Sequence, residues 1–460
     1  MFFAADPPDP IAFPTSRHAV WVERLVWVFM MSFALDYRNS VSRQGGEGAG
    51  FDQLIFLAAC VSSSLGILFL GWKSLTIRPG AWLIAFWGLF VAFMLVNSFL
   101  QGVIPGRSIR VALPLVLCLF GMMNAHIAGC MGIRPSKIVN PILAAACINI
   151  IWRIIQGFLF KDSTLETVRI EVLSPATNWL AAWIGCAILL RKRLHWTLPV
   201  ACIMLFIGIF ITVTRSLIFP VVASGLACTI CYLLGIRWGI YHWSGLVKRL
   251  LPVTSAIVIV IMALGTIAVL KPVMIERWNE RLFHNTSDRN LSADISYLTR
   301  KAEADAMWKI LSKEPVHFIH GRGIGSSYYW DISFMPEIWM VFPKEEAEFD
   351  DIWFAGHSIW TYGLLSGGII AITAYLILFG STITHSLASA RANTSDPGPD
   401  QWLAFLPFVA TCCLLSESLT ANPFQERLVG IVFGMMIGLP QAFMVRASWI
   451  HTQSRAVHTY

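Results

Sequence analysis

Twelve runs of apolar residues, each close to the length of a bilayer crossing, punctuate this 460-residue sequence. They lie near 19–36, 53–71, 81–100, 110–129, 139–160, 176–190, 196–214, 216–234, 251–270, 357–383, 402–420 and 427–445. A spanning helix takes about 20 predominantly apolar residues, so twelve take roughly 240. The residues AVILMFWYC make up 56% of the chain, enough for that, and Asp, Glu, Lys and Arg only 13%. Soluble domains carry about 25% charged residues. A water-soluble enzyme of this size could not cover its surface with half of that, and the apolar content excludes disorder. The expected fold is all-α: a polytopic membrane protein with about 12 transmembrane helices and one large loop.

The net charge is +7, and its placement says more than its sign. Lys and Arg collect in cytoplasmic loops, so here they report topology and give no sign of a nucleic-acid partner. With the N-terminus inside, the inner loops hold Lys73, Arg78, Arg134, Lys137, Arg191, Lys192, Arg193, Arg237, Lys248, Arg249, Arg391 and Arg446. The short outer loops hold Arg38, Arg43, Arg107, Lys161, Arg169 and Arg427. The polar run from Thr212 to Ser216 must then break the chain between the seventh and eighth segments. Fusing them would place Arg237, Lys248 and Arg249 outside. Both termini are therefore expected in the cytoplasm. No basic region precedes an apolar core at the start, so no cleavable signal peptide is expected. The ten cysteines lie in or beside apolar runs. No disulfide framework or zinc pattern follows, and the CxxC spacing of Cys228 and Cys231 reads as helix packing.

Four regions result: helices one to nine over 1–270, a loop over 271–356, helices ten to twelve over 357–445, and a cytoplasmic tail over 446–460. Parity puts the loop outside. It holds fourteen acidic and ten basic residues, more than a third of all the charge, and a loop this long is usually functional. Ala304, Met307, Trp308 and Leu311 recur at helical spacing, which predicts an amphipathic helix. Extended backwards, this stripe reaches Arg300, a poor position for a merely solvating charge. Gly321, Arg322 and Gly323 open a Gly-rich run to Gly325. It lacks both the dinucleotide-binding spacing and a phosphate-loop lysine, and reads as a sharp turn that lines a site.

Charges within spans are costly and mark either function or internal pairing. Glu23, Arg24, Arg153 and Glu417 are of this kind, and their partners are not legible. Arg215 stands at the outer end of a span, where a new helix starts. A guanidinium presents a planar fork to phosphate oxygens, and helix N-terminal N–H groups favour anions too. His357 opens the tenth span at the same face. An imidazole titrates near neutrality and can take a proton from a hydroxyl. Two anion binders and a base on one face suit chemistry on a phosphate-linked substrate better than ion transport. The acidic residues Glu345, Glu346, Glu348, Asp350 and Asp351 read as a solvated loop and not as a cation site. Trp330, Trp339 and Trp353 are of a kind that stacks on sugar rings.

Three blocks of this set resemble the O-antigen ligase and polymerase superfamily of bacterial envelope enzymes. Thr212-Val213-Thr214-Arg215-Ser216 is similar to that family's Ser/Thr-Arg-small motif. Arg300, then Ala306-Met307-Trp308-Lys309-Ile310-Leu311, Pro315 and Gly321-Arg322-Gly323-Ile324-Gly325 resemble its large-loop block. His357-Ser358 followed by Gly367-Gly368 resembles its third motif, with Ser358 where many members have Asn. The blocks run in the expected order over about a third of the chain. The resemblance implies a C-type membrane glycosyltransferase fold without metal or other cofactor, in the bacterial inner membrane, with its site on the periplasmic face. It implies an undecaprenyl-pyrophosphate-linked glycan as donor, Arg215 and Arg300 on the pyrophosphate, and His357 as base. Gly321, Arg322, Gly323 and Ser358 would line the site. The expected acceptor is a sugar hydroxyl of lipid A–core. A polymerase or a protein O-oligosaccharyltransferase shares the donor side and stays open, and a transporter or flippase is the alternative from another class.

Overall fold

The computed structural model describes residues 17–36, 51–77, 80–159, 174, 176–191, 195–212, 217–246, 248–249, 262, 265–266, 295–329, 353–394, 398–419 and 421–457. These residues form helices and contain no β-strand; a single antiparallel bridge joins Tyr328 and Trp353. The all-α reading holds. Eight described helices are long and apolar enough to cross a membrane, by length and composition, and Ala176–Leu189 and Thr197–Phe210 are shorter apolar ones. The ninth expected span, 251–270, falls almost wholly outside the described residues.

The first half of the bundle consists of α1 (Arg17–Met31), α2 (Phe51–Gly71), α3 (Gly80–Leu100), α4 (Pro105–Cys130) and α5 (Pro135–Leu159). Next come α6 (Ala176–Leu189), α7 (Thr197–Thr212) and α8 (Ile218–Arg237). The loop contributes α9 (Ile295–Lys313) and the one-turn α10 (His317–His320), and the chain closes with α11 (Ile359–Ala392), α12 (Leu406–Ser418), α13 (Arg427–Gly438) and α14 (Pro440–Val457). Turn chemistry sets the reversals. After α3 the chain turns on Gly102 at a φ of 69°, a conformation glycine adopts without a Cβ clash. Pro105 then starts α4, where its fixed φ is pre-set for a helix and its missing N–H costs nothing.

The centre is the pair α4 and α13. Every residue of α13 after Arg427 is buried. Gly430, Gly434 and Gly438 recur every four residues along one face. A Cβ added to each would come within 2.2, 2.1 and 2.6 Å of the carbonyl oxygens of Pro114, Cys118 and Met122. Small residues at this spacing let backbones meet, which removes the space a side chain would need. The other helices surround this spine in two apolar clusters. One spans α1, α5, α6 and α12, and the other gathers α3, α9 and α11.

Candidate active site

The loop helix α9 packs one face inward. Ala302, Glu303, Ala306, Met307 and Leu311 are buried, whereas Trp308 is 59% exposed. The expected stripe is therefore rotated, and the correction has a physical cause. Trp308 stays outside, where its ring packs edge-on against Phe318 at 5.1 Å, and Glu303 is on the face that packs inward. Arg300 lies one turn before Glu303 and is partly buried.

Glu303 is 2% exposed, and three donors converge on it. The His357 backbone N–H donates to Oε1 at 2.8 Å and the Tyr328 hydroxyl to the same oxygen at 2.6 Å. His357 Nδ1 lies 2.9 Å from Oε2. Oε1 accepts from one N–H and one O–H donor, and Oε2 faces the imidazole. With Nδ1 turned to the carboxyl group, Nε2 is the ring nitrogen left to face away from it. Burial and the adjacent carboxylate both push the Tyr328 phenol well above its ordinary range, so it stays a donor. The His357 side chain is 42% exposed, and among the described residues only Glu303 hydrogen-bonds its ring. The Trp353 ring stands 5.6 Å from it.

Neighbouring backbone holds this pair in place. Ser358 caps α11, its Oγ accepting from the N–H groups of Trp360 at 3.3 Å and Thr361 at 3.5 Å. Asn422 and Gln425, between α12 and α13, both donate to the carbonyl of Gly356. The hydroxyl of Tyr362 donates to Phe354 O at 2.6 Å and accepts the Gly325 N–H at 2.9 Å.

The glycine run threads the gap between α3, α4 and α11. Gly321, Gly323 and Gly325 all have positive φ, and a Cβ on any of them would meet backbone at 2.3–2.9 Å. Opposite them α11 breaks at Gly368, with φ 63° and ψ −155°. The break frees two carbonyls, and the loop satisfies both: Arg322 N donates to Leu365 O at 2.7 Å and Gly323 N to Ser366 O at 2.9 Å. Asn97 of α3 completes the junction through His320 O at 2.6 Å. The turn expected at Gly321–Gly325 thus joins the loop to the helix that carries His357.

No protein-family model matches this chain, and no curated protein matches it either. The functional reading therefore stands on the residues themselves.

His357 and the α9 turn bearing Arg300 come together through Glu303. Arg215 and the run Glu345 to Asp351 lie outside the described residues, as do Trp330 and Trp339. Arg322 is exposed within the glycine run, and Ser358 acts as a helix cap. Arg107 is more than an interfacial arginine, because its guanidinium sits 5.5 Å from the ring centre of Phe354, three residues before His357. The intramembrane charges find partners. Glu23 pairs with Lys137 at 2.7 Å, and Arg153, its side chain 2% exposed, with Glu426 at 3.2 Å. Arg24 lies over the Trp21 ring at 5.1 Å. Glu417 lines a small cavity of about 30 Å³ with Asn178 and Trp179. Among the described residues no group of three or more His, Cys, Asp or Glu could hold a metal ion. Glu303 is the candidate site residue that sequence reasoning missed. Its signal was a carboxylate three residues after Arg300 and four before Met307, beside the expected stripe and on the face that packs.

Proposed function

We propose that the chain is a membrane glycosyltransferase that moves a glycan from a polyprenyl pyrophosphate to a sugar hydroxyl. Within that class we favour an O-antigen ligase with lipid A–core as acceptor. The observation that carries the reading is the Glu303–His357 pair, held at the loop end of an apolar bundle one turn from Arg300. The carboxylate keeps Nδ1 protonated, so Nε2 acts as the base toward the acceptor hydroxyl. Carboxylate, imidazole and hydroxyl then follow the orienter, base and nucleophile logic of hydrolytic triads. The deprotonated oxygen attacks the anomeric carbon, the bond to pyrophosphate breaks, and the anomeric centre inverts. Arg300 and Arg215 neutralise charge as it develops on the leaving group, the electrostatic contribution that often dominates catalysis.

His357→Ala in purified protein should leave folding intact and lower transfer by about 10²–10⁴-fold, the usual cost of a lost general base. Near wild-type transfer at matched protein level would sink the mechanism. A deletion strain separates the two nearest activities. Polyprenyl-linked polymer accumulating beside bare core marks a ligase, and single repeat units on core mark a polymerase.

A further inference from the structure

Among the described residues a cavity of about 620 Å³ lies away from His357. The site is at the Pro105 end of α4, and the cavity starts at Arg134, just past the other end of that helix. This is the end that the positive-inside count assigns to the cytoplasm. Its volume falls within the about 300–1,000 Å³ of ligand sites.

The cavity is amphipathic along its length. Arg134, Ser136, Arg191 and Asp400 line its polar end, here called the mouth, and Val139 and Leu143 of α5 and Val200 of α7 line it further along those helices. From Ser136 to Cys147 it follows α5 for about 16 Å, at about 1.5 Å per residue. The mouth is firmly built. Ser136 donates to Asp400 Oδ2 through both Oγ at 2.8 Å and N at 3.2 Å. The Arg191 guanidinium packs over Trp402 at 5.4 Å. Among the described residues that line this end, two carry guanidiniums and one a carboxylate. Trp27, Trp183, Trp196 and Trp402 also line the cavity, and tryptophan favours the headgroup level of a bilayer.

A soluble anion would need only the mouth. A neutral lipid would need only the slot. Basic pockets between transmembrane helices on the cytoplasmic side suit anionic lipid headgroups, and guanidiniums suit phosphate oxygens. We infer that this cavity binds one anionic diacyl glycerophospholipid, its phosphodiester between Arg134 and Arg191 and one acyl chain along Val139, Leu143 and Val200. The inference is independent of the proposed transferase activity.

Native mass spectrometry of the full chain in mild detergent tests it, with phosphatidylglycerol, phosphatidylcholine and glycerol phosphate as probes. Phosphatidylglycerol should be retained at least tenfold better than phosphatidylcholine, and glycerol phosphate should not compete at equal concentration. Arg134→Gln with Arg191→Gln should abolish the preference, whereas Arg237→Gln, an exposed arginine at the same end outside the cavity, should keep it. Val200→Phe leaves the charge alone and narrows the slot at a position 44% exposed, and it should lower retention at least fivefold. That variant keeps the test decisive if the double variant fails to fold. Equal retention of both lipids, or full retention in Val200→Phe, overturns the proposal. Glycerol phosphate displacing the lipid would reassign the cavity to soluble anions and overturn it too.

Discussion

Glu303 carries three hydrogen bonds on two oxygens in a buried position. Glu303→Gln keeps the shape but adds an N–H₂ donor where only acceptors fit. Either Tyr328 or a donor of His357 then faces another donor, and the imidazole proton is no longer fixed on Nδ1. Transfer should fall roughly 10²-fold or more while thermal stability falls by only about 1–3 kcal/mol, the cost of one buried unmatched polar group. The check is transfer rate beside a melting curve on the same preparation. Rate and stability falling in strict proportion would make Glu303 structural only. His357 was legible because its chemistry and its place at a helix start were both on the page. Glu303 was not, because the periodic pattern fits two faces one residue apart. Which face packs depends on where Phe318 receives Trp308, and no local rule supplies that.

At the scale of elements, α11 is two helices in one run. Gly368 has positive φ, and a Cβ there would stand 2.3 Å from Ile319 O. Gly368→Ala should therefore push α10 off the helix and strip the Leu365 and Ser366 carbonyls of their loop partners. The expected result is near-complete loss of transfer with the protein still inserted, read as activity per inserted molecule. Ala at Gly380, which has nothing within 4 Å of an added Cβ, should be silent. Retained activity in Gly368→Ala would show that the break is dispensable. The sequence displays the Gly367–Gly368 pair, but a glycine pair does not say whether a helix bends or continues. The answer lies in Arg322 and Gly323, more than forty residues upstream, whose N–H groups make the break affordable. The turn at Gly321–Gly325 was legible for a simpler reason, since alternating glycines rule out regular structure locally.

For the molecule as a whole, the spine between α4 and α13 leaves no volume for larger residues. Gly434→Val should lower stability by at least about 1–3 kcal/mol, the range for overpacking, because its Cβ alone would sit 2.1 Å from Cys118 O. Thermal unfolding in detergent reads this out, with Gly225→Val as a comparator where an added Cβ meets nothing within 4 Å. An unchanged midpoint in Gly434→Val would mean that the two helices are not clamped. Apolar runs were readable because a bilayer core demands about 20 residues whatever the fold. How those runs pack was less so, since lipid and protein interiors are equally apolar and only the glycine spacing marks the contact. The break in α11 also has a mechanical consequence. The residues from Ile369 to Ala392 rise about 36 Å at 1.5 Å each, enough to cross a bilayer core of about 30 Å alone. The stretch of α11 before them, Ile359 to Gly368, with His357 just ahead of its start, is bolted to the loop instead. A span answers a thicker or thinner bilayer by tilting. On the proposed mechanism, a joint at Gly368 would let that tilt pass below the imidazole and leave the base aimed at its hydroxyl as membrane composition changes.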